Sequence, residues 1–230
     1  MSETLQTDVL LKLNNVSKTV ASGSESLTIL QGLSLEIKPS ETTAIVGASG
    51  CGKSTLLGIM AGLDECSSGE VWLQGQPLHQ LDEDQRAALR AKGVGFVFQN
   101  FQLLLGLTAL ENVSLPIEMS GKYNFKESQA LAKNWLEKVG LNHRLTHYPR
   151  QLSGGEQQRV AIARAFACEP KVLFADEPTG NLDSDTGHQI IELLFELNQH
   201  LQTTLILVTH DDYLAQRCQS TLRIEAGKIS

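Results

Sequence analysis

Short apolar runs recur along the chain and predict β-strands. Near the N-terminus, residues 10–16 and the alternation of Leu33, Leu35 and Ile37 with polar neighbours predict half-buried strands, because a period of two places one face of a strand inside. Four later runs are almost entirely apolar, which is typical of parallel strands covered on both faces. These runs comprise residues 43–46, 94–98, 172–175 and 204–208.

Helix-compatible segments separate these strands, so the chain is predicted to form an α/β fold. Residues 54–61 follow the first run, and residues 126–139 form the clearest helix, which Gly140 ends. Only helix and loop are predicted between residues 101 and 151. We interpret this change as a helical insert at roughly residues 100–158 within one domain spanning residues 1–230.

A glycine-rich loop joins the first apolar run to the first helix. Residues 47–54 read GASGCGKS, the phosphate-loop pattern, and they lie between a strand and a helix as that loop requires. Glycines let successive backbone amides turn toward one anion, while Lys53 would reach the outer phosphates and Ser54 would hold Mg²⁺. A purely structural glycine-rich turn is the alternative. The predicted nucleotide contacts are Gly47, Ala48, Ser49, Gly50, Cys51, Gly52, Lys53, Ser54 and Thr55.

Two adjacent carboxylates end another predicted strand. Asp176 and Glu177 directly follow the apolar residues 172–175. Because side chains alternate along a strand, the two acids can have different functions. Asp176 is predicted to anchor Mg²⁺ through water, and Glu177 is predicted to polarise the attacking water beside the terminal phosphate. A solvated Asp-Glu turn before Pro178 is the alternative.

Composition excludes several classes of protein. The 230 residues carry a formal net charge of −7 and a pI near 5.4, which argues against a surface that binds nucleic acid. The four cysteines have no paired spacing, so neither a disulfide framework nor a zinc site is predicted, and the cytoplasm fits best. The N-terminus lacks the features of a secretory signal, and the most apolar stretch, residues 101–110, is too short to cross a bilayer.

The string LSGGEQQ occupies residues 152–158 and precedes a long helix-compatible segment. A serine followed by two glycines could be an ordinary helix N-cap, which is also an anion site. The string resembles the signature sequence of ATP-binding cassette (ABC) ATPases. The resemblance implies that Ser153, Gly154 and Gly155 are presented to the ATP that the phosphate loop of the opposite subunit holds.

Further positions match motifs of the same family in the same order. Gln99 resembles the glutamine that contacts Mg²⁺ and the nucleophilic water and reports the nucleotide state to the membrane partner. Asp183, in the string NLD, resembles the loop that crosses the dimer interface, and His210 resembles the switch histidine that contacts the terminal phosphate. Taken singly, such Gln and His residues are usually solvated surface groups. Together they extend the resemblance over essentially the whole chain.

The resemblance implies a fold, an assembly and a location. The fold would be a P-loop NTPase core of the RecA-like type with a small antiparallel β subdomain and a helical subdomain specific to the family. Two copies would pair head to tail around ATP and Mg²⁺ and energise an integral-membrane permease at the cytoplasmic face of the inner membrane.

Within the family, residues 94–116 and 175–187 resemble the lipoprotein-releasing, macrolide-exporting and cell-division group. The resemblance is strongest to an ABC ATPase of unclear substrate that is paired with a large permease. It implies export or extraction of a substrate from the membrane. Soluble ABC ATPases of DNA repair or translation and a nucleotide-binding scaffold without turnover are the alternatives.

Two positions depart from the family pattern. Val20 lies where an aromatic residue commonly stacks on adenine, and no aromatic residue precedes Trp72. Leu105 lies where the group usually has proline, in the segment 101–110 that is expected to form part of the groove for the permease. For any single leucine of that segment, a place in the core of the helical insert is an equal alternative.

Overall fold

Strands open the described part of the chain, which comprises residues 9–22 and 25–230 of this computed structural model. The elements, in chain order, are β1 (Leu11–Ser22), β2 (Glu25–Ile37), β3 (Thr42–Val46), α1 (Lys53–Met60), β4 (Ser68–Leu73), β5 (Gln76–Pro77), α2 (Glu83–Gly93), β6 (Val94–Phe98), α3 (Ala109–Met119), α4 (Phe125–Lys138), α5 (Gly154–Phe166), β7 (Val172–Asp176), α6 (Ser184–Leu201), β8 (Thr204–Val208), α7 (Asp212–Arg217), β9 (Ser220–Glu225) and β10 (Lys228–Ile229).

The described residues fall into two compact units. The first combines the part of the chain up to Arg90 with Ile206–Ser230, and the second is Ala91–Leu205. Both units contain strands and helices, so the predicted α/β class is confirmed. In the described residues, no helix combines the length and the apolar character that a membrane span needs.

An antiparallel sheet in the first unit has the strand order β2-β1-β4-β5. Leu11 and Leu13 are buried while the intervening Lys12 is exposed, which is the alternation of a half-buried strand, and an irregularity after Leu13 brings Val16 to the buried side. The predicted first strand ended too early, at residue 16, because residues 17–22 are mostly polar and carry no such alternation. They continue the pairing with β2 as far as Ser22.

A second sheet of the first unit has the order β10-β9-β3-β8. Strand β3 is buried along its whole length and runs parallel to β9, with Thr43 opposite Ser220 and Val46 opposite Arg223. The uninterrupted apolar run explains this, since both faces of β3 are covered. Strands β9 and β10 were not predicted, because they are short and mostly polar.

In the second unit, β6 and β7 are parallel neighbours, with Val94 opposite Val172 and Phe98 opposite Asp176. Residues 101–151 form helices and turns, as the pattern predicts. Helix α4 begins at a capping box made by Asn124 and Glu127 and is followed by Gly140 with φ 79°. The limits of a separate helical insert, roughly residues 100–158, stay a prediction.

Candidate functional site

The phosphate loop follows the buried strand β3 and leads directly into α1. Gly47 has φ 154°, and a Cβ atom there would lie 2.3 Å from the backbone oxygen of Ile224. Gly52 has φ 102°, and its Cβ atom would lie 2.8 Å from Cδ2 of Leu30. A larger residue at Gly47 would collide with the backbone of β9, and at Gly52 the positive φ itself favours glycine.

The side chain of Lys53 is hydrogen-bonded to the backbone of this loop. Its side chain is only 7% exposed, and Nζ donates hydrogen bonds of 2.9 Å to the backbone oxygens of Gly47 and Ala48. The ammonium group is thus held over the curled backbone rather than in solvent. Because this side chain is already ordered, its cation can neutralise phosphate charge with little further loss of side-chain entropy.

The start of α1 is suited to an anion. Gly52 occupies the N-cap without a side-chain cap, and the first turn carries no acidic residue. The first backbone N–H groups of a helix lack intrahelical partners and lie at the positive end of the helix dipole. Ala48, Ser49, Gly50 and Ser54 are exposed, whereas Cys51 and Thr55 are half-buried.

Two features of the first unit lie close to this loop. His210 is exposed and follows Thr209, whose N–H donates to the oxygen of Ile45 in β3. Val20 is half-buried in β1 opposite the exposed Leu27 of β2. Strand β2 continues from Leu27 to Ile29 and Leu30, which lie beside Gly52 of the loop, so the strand that pairs with Val20 runs past the loop.

The second unit contains the predicted carboxylates at the end of β7. Asp176 and Glu177 are both half-buried. Glu177 has φ 44°, a left-handed conformation that costs a residue with a side chain about 1–2 kcal/mol. Such strain persists where surrounding contacts impose it, and it is concentrated at functional sites. This conformation was not predicted, because no local pattern in the sequence indicates it.

Gln99 lies beside the loop that follows Glu177. It comes directly after β6, whose last residue is opposite Asp176, so Gln99 and Glu177 both follow the carboxyl ends of adjacent strands. Nδ2 of Asn181 donates to the backbone oxygen of Gln99 at 2.9 Å, and Nε2 of Gln99 lies 3.4 Å from Oδ1 of Asn181. This pairing with Asn181 was not predicted, although both residues belong to recognised motifs.

The start of α5 is ordered by a capping box. Ser153 Oγ accepts from the Glu156 N–H, and the Glu156 carboxylate accepts from the Ser153 N–H at 2.8 Å. Hydrogen bonding from the Ser153 backbone, assisted by Arg144, holds the pKa of Glu156 below its ordinary value despite the opposing effect of burial. Ser153 is therefore an N-cap, and it remains exposed.

The two glycines of the signature string pack against the start of α6. A Cβ atom on Gly155 would lie 2.5 Å from Cγ2 of Thr186, and one on Gly154 would lie 3.2 Å from Cδ2 of Leu182. Asp183 is exposed and caps α6, because its Oδ1 accepts from the Thr186 N–H at 3.0 Å. That hydrogen bond lowers the pKa of the Asp183 carboxyl group. The second unit thus places Ser153 and Asp183 at neighbouring helix starts.

The segment 101–110 presents two leucines to solvent. Leu104 and Leu105 are 48% and 57% exposed, whereas Leu103 is buried. Asn112, itself buried, accepts from the Leu104 N–H at 2.8 Å and donates to the oxygens of Leu104 and Leu107. The loop is therefore held in one shape, and a core position is wrong for Leu104 and Leu105.

The oxygen-bearing side chains predicted to hold Mg²⁺ suit that ion. Ser54, Gln99 and Asp176 offer hydroxyl, amide and carboxylate oxygens, the donors that Mg²⁺ prefers, and each is at least partly exposed. Within residues 9–22 and 25–230, no group of three or more His, Cys, Asp or Glu side chains could hold a metal ion.

A glycine-rich loop of the phosphate-loop pattern between the buried strand β3 and helix α1, in an α/β fold, is typical of a P-loop NTPase. The chain belongs to the ABC transporter family, whose profile matches residues 30–180, and it is an ABC-type ATP-binding subunit that hydrolyses ATP. It is 57% identical over 220 residues, 96% of both chains, to the uncharacterized ABC transporter ATP-binding protein YbbA of Escherichia coli strain K12.

One further relative and one solved structure are similar to the chain over nearly its whole length. The chain is 46% identical over 222 residues, 96% of both chains, to the lipoprotein-releasing system ATP-binding protein LolD of Francisella tularensis subsp. tularensis strain FSC 198. It also matches the dimeric, post-hydrolysis structure of the ATP-binding cassette MJ0796 bound to ADP and Pi. That match has a TM-score of 0.89 and 41% identity and covers 96% of both chains.

Proposed function

We propose that two copies of this ATPase clamp ATP between them and drive a membrane permease from the cytoplasmic face of the inner membrane. The observation that carries the proposal is the near-complete likeness to a dimeric cassette bound to ADP and Pi. The exposed Ser153 and Asp183 support it, because both lie at helix starts that can meet a second subunit. A head-to-tail pair of identical chains would contain two equivalent sites.

In the proposed site, the phosphate loop binds the nucleotide. Lys53 contacts the outer phosphates, and the amides of the loop and of the first turn of α1 surround them. Ser54, Asp176 and Gln99 would hold Mg²⁺, which supplies charge neutralisation on the phosphates when it is bound. The buried position of Lys53 supports its assignment, since its amine already faces the loop backbone.

Hydrolysis in the proposed mechanism depends on three side chains. Glu177 polarises the attacking water, Gln99 orients that water, and His210 contacts the terminal phosphate. Ser153, Gly154 and Gly155 of the second copy complete the phosphate contacts, with Asp183 at the interface. ATP favours the closed pair because its terminal phosphate contacts both copies, and hydrolysis removes that shared contact.

Adenine would rest on an aliphatic surface rather than an aromatic ring. Val20 and the exposed Leu27 are opposite each other in the sheet that runs past the phosphate loop. Since stacking on an aromatic ring contributes about 1–3 kcal/mol per base, Val20→Tyr is expected to tighten ATP binding roughly tenfold to a hundredfold. Calorimetric titration with ATP and GTP measures the change in affinity and in base discrimination.

Ala21→Tyr is the matched control, because Ala21 is exposed and alternation directs its side chain to the opposite face of β1. It should bind ATP as the unaltered protein does. Unchanged affinity in Val20→Tyr would mean that adenine is held elsewhere.

The permease is proposed to dock on Leu104 and Leu105. Two exposed leucines on a loop fixed by Asn112 form an apolar contact that loses little entropy on binding. The name of LolD, a relative from a lipoprotein-releasing system, supports export or extraction as the direction of work.

Leu104→Ser combined with Leu105→Ser is expected to reduce permease recovery at least about tenfold, since each buried leucine contributes roughly 1.5–3 kcal/mol. The tagged ATPase is purified from solubilised membranes, and the bound membrane protein is identified and quantified by mass spectrometry. Met119→Ser removes an even more exposed apolar side chain, 78% exposed, and should leave recovery unchanged. Equal recovery with the double variant would contradict docking at this loop.

A further inference from the structure

A buried amide connects α5, here called the signature helix because it begins at the signature string, to the turn that contains Glu177. Gln158 is 0% exposed, and its Nε2 donates a 2.6 Å hydrogen bond to the backbone oxygen of Pro178. Gln158 is one helical turn beyond Gly154, the first residue of α5. A single side chain thus joins the helix that begins at the signature string to the residue next to Glu177.

The buried amide of Gln158 makes an unfavourable contribution to the free energy of folding. Its Oε1 is buried and has no hydrogen-bond partner in the described part of the chain. A buried polar atom without a partner destabilises the folded state by about 1–3 kcal/mol. A nonpolar side chain of the same size would avoid that penalty but would leave the Pro178 carbonyl without this donor.

The turn after β7 needs external restraint. Glu177 has φ 44°, and its backbone oxygen accepts from the Gly180 N–H at 3.0 Å. That bond closes the turn locally, but the left-handed conformation remains unfavourable for a residue with a side chain. The hydrogen bond from Gln158 fixes the next carbonyl, that of Pro178, from the side of α5. Losing it would leave a buried carbonyl unpaired and would let the turn relax.

We propose that Gln158 is a positioning residue that sets the direction of the Glu177 carboxylate. Through Gln158, the position of that carboxylate depends on the position of helix α5. The inference rests on the proposed role of Glu177. It adds that contact of the partner's ATP with the start of α5 is transmitted to the general base of the same chain through one side chain. Glu177 would then be aligned only when the signature helix is in place.

The first test removes the hydrogen-bond donor of Gln158 and keeps the volume of the side chain. Gln158→Met has a similar length and suits an apolar core. Because a misplacement of about 1 Å can lower turnover by roughly a hundredfold, we expect kcat to fall about tenfold to a hundredfold. The KM for ATP should stay within about twofold, since the phosphate loop is unchanged. Steady-state phosphate release measures both constants.

The second test makes the hydrogen bond depend on pH. In Gln158→Glu the introduced carboxyl group can donate to Pro178 only when it is protonated, and burial raises the pKa of such a group. Below that raised pKa the bond forms, and above it an ionised carboxylate faces a carbonyl oxygen. The ratio of kcat for this variant to kcat for the unaltered protein should therefore fall at least about tenfold from pH 6 to pH 9.

Asn198 provides a matched control in the same unit. It is buried, and its Nδ2 donates to the backbone oxygen of Thr203 between α6 and β8, outside the proposed site. Asn198→Leu should lower the melting temperature without changing kcat or the pH profile. This control separates loss of a buried amide in general from loss of the one beside Glu177.

The outcomes separate this inference from the proposed function. An unchanged kcat in Gln158→Met, or a kcat ratio in Gln158→Glu that is flat with pH, would overturn the positioning role. Failure of both variants to fold would also overturn it, because Gln158 would then serve stability alone. Failure of the proposed function is seen elsewhere, as normal turnover in a chain with Glu177→Gln.

Discussion

Glu177→Gln is expected to lower ATP turnover about a thousandfold, which corresponds to roughly 4 kcal/mol of activation free energy. The amide has nearly the shape of the carboxylate but cannot accept a proton from water. The backbone of Glu177, with φ 44°, needs no adjustment for glutamine, so the geometry of the turn should persist. Phosphate release under saturating ATP measures the loss.

The same variant should accumulate as an ATP-bound dimer. If hydrolysis removes the phosphate that joins the two copies, blocking it stabilises the closed pair. Sedimentation velocity with and without MgATP, together with the amount of nucleotide retained, measures this effect. A strictly monomeric protein without bound nucleotide would contradict the clamp.

Glu169→Gln is the control for this experiment. Glu169 is an exposed glutamate of the same unit, and it also has a left-handed backbone, with φ 50°. Glu169 lies before β7, outside the predicted site, so the ATP turnover of Glu169→Gln should match that of the unaltered protein. Near-normal hydrolysis by Glu177→Gln would remove Glu177 from the role of general base.

The strands and the motif positions could be predicted because each depends on a local pattern. Strand β6 was placed at residues 94–98 and β8 at residues 204–208, as the structure has them, although only β8 is buried along its whole length. An uninterrupted apolar run of that length is stable only where both faces are covered. Residues 47–54 leave the buried strand β3 and enter α1, as the glycine-rich pattern predicted.

Features that depend on neighbours distant in sequence could not be predicted. The need for glycine at Gly155 arises from Thr186, and the carbonyl of Pro178, next to Glu177, accepts its hydrogen bond from Gln158. Neither neighbour is recognisable from the local pattern. The polar strand β9 likewise forms because it pairs with β3, and its own residues show no clear alternation.

Lys53→Ala is expected to weaken ATP binding about a hundredfold. Hydrogen bonds to charged groups contribute roughly 1.5–3 kcal/mol, and 2.7 kcal/mol corresponds to a factor of about 100 in affinity. Lys53 also braces the backbone oxygens of Gly47 and Ala48, so the variant loses both the cation and the fixed shape of the loop. Phosphate positioning should suffer as well, which lowers kcat.

Calorimetric titration and phosphate-release kinetics test this prediction, with Lys12→Ala as the control. Lys12 belongs to the same unit and pairs with Glu36 at the surface, where the two side chains are 49% and 51% exposed. Because exposed ion pairs contribute little, about 0–1 kcal/mol, Lys12→Ala should bind and hydrolyse ATP normally. Normal affinity and turnover in Lys53→Ala would refute the assignment of residues 47–54 as the phosphate loop, since its buried cation would then contact no phosphate.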